Sequence, residues 1–218
     1  SPTVKKLEQL IPAWDKAVAK ADLTPGDRAQ AELLLEERMG PIAPTRDRKF
    51  GIDGSSANGS SIAFIAEYEG ERWLFSGDAH QEVLQESLKR YAKASERPIR
   101  LDGFKIPHHG SVNNMSSKLL SLLDCDRYLI STNGAYFKHP DEECIDLIIE
   151  MADDPELVFN YLTDFTTLWK DRAGVTCRYI YDRDGDMLGA PLPQAETQVE
   201  GEVKVGVGVG VEVEVEAE

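Results

Sequence analysis

Residues 61–80 read SIAFIAEYEGERWLFSGDAH, and residues 99–111 read IRLDGFKIPHHGS. In the first stretch two half-apolar runs, SIAFIAEY and RWLFSG, flank a tight Glu-Gly-Glu turn, the pattern of a β-hairpin whose strands bury one face. The second is a strand that runs into two adjacent histidines. Between them, Val83, Leu84, Leu88 and Tyr91 recur at helical spacing, and Pro98 closes the connector. The alternation continues downstream. A short helix is predicted over Ser117–Asp124, a strand over Arg127–Thr132, a helix over Asp141–Met151, and strands over Leu157–Tyr161 and Thr176–Tyr181. Strands and helices that alternate in this way predict an α/β fold layered as a sandwich.

Upstream of the hairpin, Val4, Leu7, Leu10, Ile11, Trp14 and Val18 recur every three to four residues and predict a helix. Thr24-Pro25 opens a second helix, with Thr24 as N-cap, Leu33, Leu34 and Leu35 on its buried side, and Gly40-Pro41 as its stop. The connector from Gly40 to Ser61 is rich in Gly, Pro, Ser, Asp and Asn, which favours turns and often carries function. At the far end, Gln198–Glu218 reads QVEGEVKVGVGVGVEVEVEAE, expected to be a solvated tail or a loose edge strand. The chain therefore divides into a helical segment and connector (1–60), an α/β body (61–190) and an acidic tail (191–218).

A length of 218 residues suits one domain plus tails. With 24 Lys and Arg against 39 Asp and Glu, the net charge is −15, and seven of the acids lie in 196–218. Such a balance excludes a basic protein that coats DNA without regard to sequence. The three scattered cysteines, Cys125, Cys144 and Cys177, form no CxxC and suit a reducing, cytoplasmic setting. Apolar runs such as 61–66 and 119–123 fall far short of the ~20 residues needed to span a bilayer, so no membrane association is expected.

All four histidines fall in or beside a turn that follows a predicted strand. Asp78 and His80 lie in Gly77-Asp-Ala-His80, His108 and His109 in Pro107-His-His-Gly-Ser111, and His139 in Lys138-His-Pro140. Residues just past strand ends converge at one sheet edge, and a carboxylate with several imidazoles is the donor set of zinc, manganese or iron. Taken singly, each feature has a plainer explanation. A Gly-Asp after a strand is ordinarily a turn, and a His-Pro is ordinarily a helix start with Pro140 at the first helical position. Three such turns in order, about thirty residues apart, favour a metal site.

As an ordered set, the Asn58-Gly-Ser-Ser-Ile62 lead-in, the hairpin ending in Gly77-Asp78, the Pro-His-His-Gly-Ser turn and the late His139-Pro140 resemble the metallo-β-lactamase fold. Within that family they resemble the hydrolase domain of bacterial DNA-uptake channel proteins. The resemblance covers about Asn58 to Ile148 and implies an αββα sandwich preceded by a helical segment. It also implies two divalent metal ions, zinc first and manganese or iron as alternatives, with Asp78 bridging them and His139 holding the second. His108 and His109 line the same site, and which of them faces metal is left open. Catalysis by Asp78, His108 and His109 would then proceed through a metal-bound hydroxide attacking a phosphodiester. Lys105, Lys138, Ser111 and Asn113 flank these loops and are the candidate substrate contacts. The family's His-x-His-x-Asp-His motif is missing, since residues 1–79 contain no histidine. The chain thus looks like a C-terminal half, inactive until an N-terminal half carrying that motif completes it, with nucleic acid as the expected substrate. The alternatives are a non-catalytic interaction module and a hydrolase of another ester, a thioester or a lactam.

Overall fold

Helix α1 (Val4–Lys20) and the single turn α2 (Ser56–Gly59) lead into the hairpin of β1 (Phe64–Tyr68) and β2 (Glu71–Phe75). After it come α3 (Gln81–Tyr91), β3 (Ile99–Leu101), β4 (Gly103–Lys105), α4 (Ser117–Leu120), β5 (Leu123–Cys125), β6 (Arg127–Ile130), α5 (Glu142–Met151), β7 (Glu156–Tyr161), β8 (Thr176–Tyr181), β9 (Lys204–Val207) and β10 (Val211–Glu214). This computed structural model describes residues 2–20, 53–93, 96–135, 137–182 and 184–188, with the backbone of the last two strands. The second helix predicted from Thr24, most of the connector and the rest of the acidic segment lie outside the described residues.

The hairpin forms as its pattern dictates, with Phe64 opposite Phe75 and Tyr68 opposite Glu71. Both turn residues take positive φ, Glu69 at 50° and Gly70 at 85°, as a two-residue turn matched to strand twist requires. The main sheet runs β10-β9-β1-β2-β4-β6-β7-β8, and a separate two-stranded sheet pairs β3 with β5. From β2 to β8 every pairing is parallel, while β1, β9 and β10 are antiparallel. The fold is therefore α/β, with a mostly parallel sheet and flanking helices.

Register divides the sheet into two unlike faces. Across one run Ile65, Leu74, Phe104, Tyr128 and Leu157, each opposite the next. These join Leu84 and Leu88 of α3, Leu119 and Leu120 of α4, and Ile145 and Ile148 of α5 in a single buried cluster. Across the other run Phe64, Phe75, Lys105, Leu129, Val158 and Arg178. Phe64, Phe75 and Leu129 there are only half-buried, although Val158 is buried, and the buried cluster draws its main-sheet residues from the first face. Pairing also sets Val207 opposite Phe64 and Val205 opposite Ala66, with Val211 and Val213 paired beyond them.

Several boundaries differ from the sequence expectation. The strand predicted over Ile99–Pro107 is two strands in two sheets. Asp102 breaks it: its amide donates to the Arg72 carbonyl (2.8 Å) and its carboxylate accepts from the Arg72 amide (2.7 Å), tying the chain to β2 at that point. Gly103 then passes against the Trp73 ring, where any Cβ would overlap it. The helix predicted over Ser117–Asp124 lasts one turn, because Leu123 and Cys125 alternate with exposed Asp124 and pair with β3. Pro140 does not start α5. Asp141 is the N-cap and Glu142 the first helical residue. The acidic end contributes two short strands at the β1 edge. Helix α1 forms, but Val4, Leu7, Ile11 and Trp14 of its apolar stripe are exposed. Among the described residues no helix is long and apolar enough to cross a membrane.

Candidate metal centre

Strands β2, β4 and β6 are adjacent and parallel, so the loops after them leave the sheet at one edge. Backbone bonds hold these loops together. The His108 amide donates to the Gly77 carbonyl (3.1 Å), and the Asp141 amide donates to the Gly110 carbonyl (3.0 Å). Gly110 has φ 88°, and a Cβ there would lie 2.7 Å from that of Pro140, so only glycine allows the two turns to approach this closely. His108 (φ 44°), His109 (φ 57°) and Lys138 (φ 62°) also occupy the left-handed region. Non-glycine residues held there cost about 1–3 kcal/mol each and concentrate at functional sites.

Each of the three clustered imidazoles spends Nδ1 on a protein acceptor. His109 Nδ1 donates to the Ser131 carbonyl (2.6 Å), and His139 Nδ1 to Asp141 Oδ1 (3.2 Å). His108 Nδ1 lies 3.1 Å from Asn114 Oδ1, 3.3 Å from Asp53 Oδ2 and 3.3 Å from Asn58 Nδ2. The rings stand close, His108 centred 5.6 Å from His139 and 6.0 Å from His109, and His109 Nε2 lies 3.8 Å from Asp78 Oδ1. Metal-binding histidines characteristically donate one N–H to a carboxylate or carbonyl and offer the other nitrogen to the ion. The Asp78, His109 and His139 side chains with His108 therefore have the donor chemistry of one flank of a metal site. Among the described residues, however, no group of three or more His, Cys, Asp or Glu converges closely enough to hold an ion.

Behind His108 sits Asp53, which sequence reasoning passed over as connector. Its carboxylate accepts from the Ser55 amide (2.8 Å), Asn58 Nδ2 (2.8 Å) and Asn114 Nδ2 (2.9 Å). Burial alone would raise its pKa, but the hydrogen bonds from His108, Asn58, Asn114 and the Ser55 backbone outweigh that and hold it well below the ordinary carboxylate range. Burial likewise works against a charged His108, yet its bonds to Asp53 and Asn114 and the field of Asp78 and Asp53 bring a net upward shift. Asn114 also donates to the carbonyls of Asp78 and Ala79 (3.2 Å each), so it links both strand-end loops. The available signals were weak: an Asp opening a Gly/Ser/Asn loop, and an Asn five residues beyond the histidine pair.

His80 is separate from the cluster. It is 1% exposed, its Nδ1 accepts from Lys6 Nζ of α1 (2.9 Å), and its Nε2 has no hydrogen-bond partner among the described residues, with Asp53 Oδ1 at 3.7 Å. The candidate substrate contacts divide. Lys105 lies beside the site with Nζ 3.5 Å from the Gly77 carbonyl; burial lowers its pKa, against the field of Asp78. Lys138 lies over the Phe165 ring, 5.0 Å from its centre. Ser111 is buried at the end of the histidine turn, and the Asn113 carbonyl accepts from Gln81 Nε2.

A 138-residue stretch, 62% of this chain, is 28% identical to ComE operon protein 3 of Bacillus subtilis (strain 168). The chain spans 16% of that relative's length. No family model matches the sequence, and no solved structure matches it.

Proposed function

We propose that this chain is the C-terminal half of a metallo-β-lactamase-like αββα hydrolase that cleaves phosphodiesters, in a reducing, cytoplasmic setting. The observation that carries this is the set of three neighbouring imidazoles, each anchored through Nδ1, with His109 Nε2 3.8 Å from Asp78 Oδ1. Asp78, His109, His139 and His108 would hold the metal, zinc or alternatively manganese or iron. When bound, it supplies Lewis acidity and an acidified water. The chain's own side chains orient the site: Ser131 and Asp141 fix two rings, and Lys105 adds a cation beside Asp78 for an anionic substrate. The likeness to ComE operon protein 3 supports a role connected with DNA uptake and nucleic acid as substrate.

The half-buried second sheet face supports the need for a partner. Parallel sheets are ordinarily covered on both faces, and here Phe64, Trp73, Phe75 and Leu129 are partly open. An N-terminal half carrying His-x-His-x-Asp-His would cover that face and bring the remaining ligands. The same open face also favours a second reading, a non-catalytic interaction module. Hydrolysis of a chromogenic phosphodiester and of DNA, measured on the protein joined to such a half, separates the two. Activity that falls to background in EDTA and in Asp78→Asn is expected, and undiminished hydrolysis in either would sink the metal reading.

A further inference from the structure

We propose that Asp53, acting with Asn114, is a positioning residue that fixes the tautomer and ring orientation of His108. This rests on the metal-site reading above and names the residue by which the connector enters that site. Asp53 lies 27 and 55 residues from the two histidines it faces, His80 and His108, and its carboxylate is the point where the connector, the loop after β2 and the histidine turn meet.

Two oxygens and one amide nitrogen approach His108 Nδ1, the nitrogen being Asn58 Nδ2 at 3.3 Å, whose shorter bond goes to Asp53 Oδ2. Asn58 Nδ2 and Asn114 Nδ2 both point at Asp53 Oδ2 (2.8 and 2.9 Å), which orients the Asn114 amide. Donation by Asn114 Nδ2 to the Asp78 and Ala79 carbonyls agrees with that orientation and leaves Asn114 Oδ1 facing His108 Nδ1 at 3.1 Å. An amide oxygen and a carboxylate oxygen both accept, and these two acceptors outweigh the one donor, so His108 Nδ1 is assigned the hydrogen. The neutral ring then has its lone pair on Nε2, the form able to bind a metal. Asp53 itself is a poor ligand, because Ser55, Asn58, Asn114 and His108 already surround its two oxygens. It acts through His108. Replacing it with alanine removes one acceptor from His108 and leaves Asn58 Nδ2 as a donor 3.3 Å from Nδ1, which favours the opposite tautomer.

Long-range 1H–15N spectra of the full chain at a pH where His108 is neutral test this. The wild type should show a protonated-type Nδ1 and a lone-pair-type Nε2 for His108. Asp53→Ala should shift His108 toward the Nε2–H form, and Asp53→Glu should restore part of the original signature. Zinc titrated into the chain joined to an N-terminal half bearing His-x-His-x-Asp-His supplies a second readout: the His108 response should need about tenfold or more zinc in Asp53→Ala, the usual scale for losing an outer partner of a metal-binding histidine. A wild-type His108 protonated on Nε2 would overturn the proposal without recourse to any variant, as would an Asp53→Ala spectrum that keeps the wild-type signature. If the wild-type tautomer is as assigned but no histidine of the joined protein responds to zinc, the metal-site reading fails and the positioning role stands.

Discussion

The two faces of the main sheet are built from the same strands yet have different surroundings. On one, Leu74, Phe104, Tyr128 and Leu157 run opposite one another, and α3, α4 and α5 pack over them until Phe104 and Leu157 are fully buried. On the other, Phe64 stacks on Phe75 with ring centres 5.2 Å apart, and the Arg127 guanidinium lies 5.7 Å from the centre of the Trp73 ring. The second face is also largely apolar through Phe64, Trp73, Phe75, Leu129 and Val158, though Lys105 and Arg178 interrupt it, and only the first has a described layer above it. The contrast teaches that this chain can fold around its first face while its second face remains suited to something else.

The largest expected effect lies on the covered face. Phe104→Ala should destabilise the chain by about 3–5 kcal/mol, since it empties a site with no exposed surface. Phe75→Ala, one register row away on the open face, should cost clearly less. Denaturant titrations of the two variants check this, and equal losses would show that the second face is already packed. A smaller effect on stability, about 1 kcal/mol, is expected for Leu129→Glu on the half-open face, where the new carboxylate stands opposite Lys105. That variant should nevertheless fail to associate with a completing N-terminal half in size-exclusion chromatography with light scattering. Undisturbed association would place the partner elsewhere.

Much of the covered face was legible in the sequence, because alternation in the hairpin and helical spacing in 83–91 and 142–151 are local patterns that read the same in one dimension and in three. The strand-end placement of Asp78, His108, His109 and His139 was legible for the same reason. Asp53 and Asn114 were not, since their roles depend on contacts 61 residues apart in the chain. The break at Asp102 was hidden similarly: a single polar residue inside an apolar run looks like ordinary alternation until its bonds to Arg72 are seen. The exposed stripe of α1 shows the converse, that helical periodicity predicts the helix but not what, if anything, covers it.

The claim that this chain contributes half of a metal site is tested most directly by metal content. The dialysed 218-residue chain, and the same chain joined to an N-terminal half bearing His-x-His-x-Asp-His, would each be assayed for zinc, manganese and iron by elemental analysis. Well below one ion per isolated chain is expected, because its donors form only one flank of a tight site, with about two ions per completed protein. Stoichiometric metal on the isolated chain, or none on the completed protein, would contradict it.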